Sequence, residues 1–154
     1  MGCWDREPLS GILLIDANVW VETADTTAPH HQACAALLRD RANNLATLPT
    51  VIAEAAWLIE DRLGPQREAV FLRLVTSPRV TIIDLAPQDW ARTLELVEIY
   101  ASLGLGTVDA SIVAVAERLG TTEIATMNGR DFYVVRPEHC TGFALLPEGI
   151  TRPT

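Results

Sequence analysis

Asp16 closes the apolar run Gly-Ile-Leu-Leu-Ile, and that placement restricts the fold more than any other feature of the chain. The run from Gly11 to Ile15 is too short for a helix and does not alternate between apolar and polar residues. It therefore reads as a strand covered on both faces, the environment of a parallel sheet with helical crossovers. Similar short extended segments are expected at Asn44 to Leu48, Val80 to Ile83 and Glu123 to Thr126, with weaker ones at Phe132 to Val135 and Phe143 to Leu146.

Helical segments fill the intervals. A short one is expected over Asn18 to Ala24, and a stronger one opens near Pro29 and ends near Arg41, with Ala33, Leu37 and Leu38 on one side. Pro49, followed by Thr50 as an N-cap, starts a helix to Leu63 that Gly64 stops, and Pro65 opens the next, to Val75. Pro87 begins a helix through Leu103, the loop Gly104 to Gly106 follows, and a last helix spans Val108 to Leu119 before Gly120. Strands alternating with helices in this way indicate an α/β fold, a three-layer α/β/α sandwich around a mainly parallel sheet of four to five strands.

With 154 residues and 49% hydrophobic side chains, the chain has enough apolar surface for one core. Residues 12–147 are expected to form that single domain, preceded by an N-terminal extension over 1–11 and followed by a short tail over 148–154. No uncharged apolar run is long enough to span a bilayer, and Pro49 interrupts the stretch from Ala42 to Ala53. Asp5, Arg6 and Glu7 ahead of Pro8 lack the charge order of a secretory signal, so a cytoplasmic location is expected. Cys3, Cys34 and Cys140 fit neither a disulfide framework nor a closed zinc site and read as free thiols. His30, His31 and Cys34 supply too few ligands for zinc and read as surface helix residues, as do His139 and Cys140.

Three acids stand in apolar surroundings: Asp16 in ILLID, Glu54 in TVIAEAAWLI and Asp109 in LGTVDASIVAVA. A buried carboxylate must be paired, coordinate a metal or take up a proton. In a parallel sheet the strand ends and the starts of the following helices share one edge, the usual ligand crevice. Asp16, Glu54, Asp109 and the turn Asn128 to Asp131 all map to that edge. Glu54 lies three residues after Val51 and four before Leu58, and Asp109 lies three and four before Ile112 and Val113, so both are expected on inward faces. Asp16 also suits a cap for the helix behind it, and Asp109 suits a helix dipole beside a Thr107 cap. Asp84 ends a strand with no inward partner and reads as solvated. Asp25, Asp40, Glu60 and Asp61 read as surface charge.

Carboxylates ~4 Å apart repel by roughly 4 kcal/mol per pair at an effective dielectric near 20. Arg130 is the nearest basic residue in sequence and offsets only one of them. Hard divalent cations prefer carboxylate oxygen, so the pattern points to an open Mg²⁺ or Mn²⁺ site. The net charge of −8 argues against a general polyanion binder. All 12 cationic side chains are arginine. The absence of lysine excludes receiver domains and haloacid-dehalogenase-type phosphatases as usually built, since each needs a lysine beside its aspartate. Gly104-Leu-Gly106-Thr-Val-Asp109 is half a dinucleotide fingerprint with no strand before it, and reads as a loop.

In order and spacing, LLIDANVW, TLPTVIAEAAWLI, GTVDASIVAVAERLG and IATMNGRDFYVVRP followed by FALLP resemble a PIN domain, in particular a VapC-type toxin ribonuclease, from about Leu13 to Pro147. The resemblance implies acids at Asp16, Glu54 and Asp109, with Asn18, Thr107 and Thr126 as flanking polar residues that orient ligands. The family's fourth acid falls on Asn128, an amide. Either Asp131, three residues on, reaches the site or the site runs on three acids. The resemblance further implies Mg²⁺-dependent (or Mn²⁺-dependent) cleavage of transfer RNA or another structured RNA, Asp16 and Asp109 as principal metal ligands, and Glu54 positioning water or a second ion. Arg130 is a candidate for holding the substrate phosphate, or a plain surface arginine. The partners it implies are a VapB-type antitoxin whose basic tail enters the acidic groove, and a second copy in a homodimer. A PIN-like module that binds RNA or protein without cutting is the alternative, and Asn128 is its support.

Overall fold

The computed structural model describes residues 11–150. The N-terminal extension up to Ser10, with Cys3, and the tail from Thr151 lie outside the described residues. Five short strands form one sheet: β1 (Leu13–Ile15), β2 (Leu45–Thr47), β3 (Val80–Ile82), β4 (Glu123–Ala125) and β5 (Ala144–Leu146). Every pairing is parallel, and the spatial order is β3-β2-β1-β4-β5. Leu13, Leu14 and Ile15 are almost wholly buried, as an unalternating run in a sheet covered on both faces must be.

Among the described residues seven helices make the crossovers: α1 (Ala17–Ala24), α2 (His31–Asp40), α3 (Pro49–Leu63), α4 (Pro65–Val75), α5 (Pro87–Ile99), α6 (Thr107–Leu119) and α7 (Gly129–Val134). Proline at the first position opens α3, α4 and α5 where its missing N–H costs nothing. Gly120 ends α6 in the left-handed conformation at φ 70°, which a residue with a Cβ adopts only with strain. Helices α1 to α4 pack on one another, and α5 packs on α6. Right-handed crossovers put the first group on one face of the sheet and the second on the other, because the chain moves from β1 toward β3 and then jumps across to β4. Seven successive residues of α6, Ala110 to Ala116, are buried, so this helix is enclosed nearly all round.

The structure departs from expectation at several points. Phe132 to Val135 is not extended: Gly129–Val134 is helical, and Phe132 and Val135 reach the core at a spacing of three rather than two. Leu48, not Thr50, caps α3, because Pro49 already occupies the first turn. Thr107 begins α6 after Gly106 and so is not its cap. The helix from Pro87 ends at Ile99, and Ala101–Leu103 forms a separate 3-10 turn. Cys34 is fully buried, with its thiol 3.7 Å from the Met127 sulfur, rather than on the helix surface. It shares a buried stripe with Leu38, one turn later.

Asp89 is a buried acid that sequence spacing does not flag. Its carboxylate accepts from the Ala86 N–H (2.8 Å) at the start of α5 and from Arg118 Nε (2.9 and 3.0 Å) on α6. It therefore both caps one helix and clamps it to its neighbour. Asp89→Ala removes the acceptor for two donors, and its expected cost is about 2–3 kcal/mol of unfolding free energy in urea. A loss below 0.5 kcal/mol contradicts the clamp.

Candidate active site

The direction of travel along the sheet reverses between β1 and β4, and in parallel sheets the crevice beyond the strand ends at that point is where ligands bind. Asp16 stands there, one residue past β1, and Thr126 one residue past β4. Asp16 is 4% exposed. One of its oxygens accepts from the Ala17 N–H (2.7 Å), capping α1, and the other from the Thr126 hydroxyl (2.8 Å). Asn18 joins the same two segments: its side-chain oxygen accepts from the Met127 N–H (2.9 Å). The Asn128 N–H donates to the Thr126 oxygen (3.1 Å), so one hydroxyl organises both the β4 turn and the acid at the end of β1.

Asp109, in the first turn of α6, is half-buried on the inward side, where its spacing to Ile112, Val113 and Ala116 puts it. Its carboxyl is pushed up to about 7, first by burial and then by the charges of Asp16, Asp131 and Glu54. Asp16 is pushed up to about 6, mainly by burial. The bonds from Thr126 and Ala17 oppose the rise, and the Glu54 charge adds to it. Four acids from β1, α3, α6 and α7 thus feel one another across the sheet edge. No arginine among the described residues forms an ion pair with any of them.

Glu54 is exposed, which corrects the inward placement read from spacing. Its neighbours Val51 and Leu58 do lie on adjacent turns, but the buried stripe of α3 is centred on Val51, Ala55 and Ile59. Glu54 flanks that stripe and projects beside it. At the β4 turn the two candidate positions for the fourth acid differ in exposure. Asp131 falls in the first turn, half-buried, with its charge on Asp109, whereas the Asn128 side chain is exposed. Arg130 and Thr107 are both exposed. Asp84 is exposed as expected, and its carbonyl accepts from Arg118 (3.0 Å).

Sequence reasoning missed Thr50 and Ser111, whose hydroxyls meet at 2.9 Å between α3 and α6. Ser111 is a buried polar residue inside an apolar helix, and that was the available signal. Clefts of about 210 and 230 Å³ lie elsewhere, among α1, α2 and α4 around Leu38, Leu74 and Trp20, and contain none of the acids.

The donor set is all oxygen. No three His, Cys, Asp or Glu side chains among the described residues form a ready metal cage. Mg²⁺ does not require one: it is usually held by one or two carboxylates and keeps several waters. Two desolvated carboxyls without a cation are donors of that kind.

Burial makes these groups a liability in the metal-free chain. In the unfolded chain both titrate near 3.8, while in the folded chain they hold protons to about 6 and about 7. Between roughly pH 4 and pH 7 the folded state binds more protons, so stability falls as pH rises. Stability contributed by the protonated forms is fully present below the unfolded value and is lost through the folded ones. The melting temperature of the metal-free chain is expected to be lower at pH 7.5 than at pH 5, and Asp109→Asn to flatten that slope. An equally steep slope in the variant rules out the assignment to Asp109.

Residues 13–136 match the family model described as PIN domain. Over 135 residues the chain is 26% identical to Ribonuclease VapC26 of Mycobacterium tuberculosis, covering 88% of this chain and all of that one. Its fold is similar to the crystal structure of VapC20 of the same species, a toxin that cleaves the sarcin–ricin loop. There the TM-score is 0.69 at 16% identity, over 73% of this chain and 86% of that one. VapBC2 from Rickettsia felis, bound to a DNA fragment from its promoter, is similar with a TM-score of 0.63 at 22% identity, over 87% and 96% of the two chains. A family model that spans most of the described sheet, with the acids at its carboxyl edge, makes this chain a member of the PIN domain family.

Proposed function

We propose that this chain is a divalent-metal-dependent endoribonuclease of the VapC type, the toxin of a toxin-antitoxin pair. The observation that carries the reading is the mutual charge of Asp16, Glu54, Asp109 and Asp131 at one sheet edge, with no arginine among the described residues paired to them. Similarity to Ribonuclease VapC26 over almost the whole chain supports it. The reaction is hydrolysis of an RNA phosphodiester that leaves a 5′-phosphate, on transfer RNA or another structured RNA.

Asp16 and Asp109 would hold Mg²⁺ or Mn²⁺, which when bound lowers the pKa of its water and stabilises charge on a phosphoryl oxygen. The Thr126 hydroxyl and the Ala17 N–H keep Asp16 from rotating, so its remaining lone pairs have a fixed aim. Asn18 holds the β4 turn against α1 at Met127, two residues before α7 begins. Glu54, exposed beside the cleft, has the freedom to position a water or a second ion. Arg130, also exposed and one residue from Asp131, offers a planar fork for a substrate phosphate.

An acidic site on a chain of net charge −8 attracts a basic segment at long range. That complementarity, and the fold likeness to VapBC complexes, supports a VapB-type antitoxin whose basic tail enters the acid cluster. A homodimer completes the proposed assembly. The second reading, a PIN-like module that binds RNA or protein without cutting it, is favoured by the amide at Asn128.

Purified chain incubated with RNA and Mn²⁺ separates the two. Cleavage that EDTA stops and that Asp16→Ala lacks supports the nuclease, and binding without cleavage supports the module. Asp109→Asn is expected to lower the cleavage rate at least ~100-fold while circular dichroism stays unchanged. A rate within threefold of the parent removes Asp109 from the site. Asp131→Asn is expected to lower the rate by ~10-fold or more, and Asn128→Ala by less than threefold. The reverse ranking would return the fourth position to Asn128.

A further inference from the structure

The helices that carry Glu54 and Asp109 belong to opposite faces of the sheet, and α3 touches α6. Among the described residues one side-chain hydrogen bond joins them, Thr50 Oγ1 to Ser111 Oγ at 2.9 Å. Its polarity follows from proton count. Ser111 has one hydroxyl proton and donates it to the Val108 carbonyl at 2.7 Å, so Thr50 must be the donor and Ser111 the acceptor. The relay runs from α3 through Ser111 into the backbone of Val108, the residue before Asp109. At its other end Thr50 stands four residues, about one turn, ahead of Glu54.

Ser111 is fully exposed to none of the solvent: it lies inside the apolar block Ala110 to Ala116, where alanine would pack without an unmet polar group. A hydroxyl there costs desolvation unless its bonds are made, and a made bond is directional in a way that apolar packing is not. We infer that Thr50 and Ser111 are positioning residues, which hold the start of α3, one turn before Glu54, against the first turns of α6, which carry Asp109, and so tune divalent-cation affinity. The inference rests on the metal-dependent reading proposed above, but concerns residues that touch neither metal nor substrate. Removing groups that orient metal ligands commonly weakens binding by 10- to 100-fold.

The test is Mn²⁺ titration of the full chain by calorimetry, alongside the melting temperature without metal. Thr50→Val keeps the side-chain shape and deletes the donor, and is expected to weaken Mn²⁺ binding by about tenfold. Thr50→Ser restores the donor and is expected to bind within threefold of the parent. The double variant Thr50→Val with Ser111→Ala is expected to be no weaker than Thr50→Val alone, because the two residues act through one bond. If Thr50→Val does not fold, Ser111→Ala, which leaves a residue suited to its helix, carries the same expectation. Unchanged Mn²⁺ affinity in the folded variant, or fully additive losses in the double variant, overturns the inference and leaves the nuclease reading standing. A parent chain that binds no Mn²⁺ overturns that reading, and the inference with it.

Discussion

Asp16 bears the constraint on which the arrangement of the carboxyl edge depends. It is the last residue before α1 and the acceptor for that helix's first N–H, so without it the turn from β1 into α1 loses its cap. The same side chain accepts from Thr126 at the end of β4, and Thr126 in turn accepts from the Asn128 N–H. One carboxylate thereby ties together the two strands that flank the switch point. The cap and a metal-ligand role are not rival explanations for Asp16. The cap is what aims the carboxylate, and burial is what raises its affinity for a proton.

Asp89 shows what a purely structural buried acid looks like in this chain. It is as buried as Asp16, and it is answered by a guanidinium and a backbone N–H. Half-buried Glu117 is likewise met by a guanidinium, that of Arg92 at 2.9 and 3.0 Å, and half-buried Glu123 by that of Arg41. Arginines are thus spent on acids that link helices or anchor the sheet, on the far side of α6 and at the amino end of β4. Asp16 and Asp109 receive none among the described residues. Between the two buried acids, Asp16 and Asp89, pairing separates candidate site from scaffold where burial alone does not.

Much of the fold was legible because punctuation is local. Pro49, Gly64, Pro65, Pro87 and Gly120 each bound a helix through their own backbone geometry, and the runs around Leu14 and Ile124 are apolar on both faces because both faces are covered. Asp16 and Asp109 were legible for the same reason, being charges inside apolar runs. What escaped was set by contacts distant in sequence or by elements too short to show a period. Six residues of α7 span fewer than two turns, so Phe132 and Val135 read equally well as strand. Glu54 turned outward because adjacency to Val51 on a helix does not fix which flank of the stripe faces the core. The Asp89 clamp joins residues 29 apart, and the Thr50 bond residues 61 apart, and no spacing rule connects either pair.

The charge left unanswered at the carboxyl edge also constrains how the site can meet RNA. A phosphodiester carries the same sign as the acids, so approach is unfavourable until a cation stands between them. Protonation relieves part of the repulsion: with Asp16 at about 6 and Asp109 at about 7, the metal-free edge is partly neutral near neutral pH. That relief works against metal loading, since a cation must displace those protons before it can bind. On the proposed reading a divalent ion and an antitoxin arginine answer the same deficit. Either one discharges the repulsion among Asp16, Asp109, Glu54 and Asp131, and only the ion leaves coordination positions for a phosphate. The chemistry of inhibition and of catalysis would then differ in the occupant of the edge and not in the arrangement of the acids.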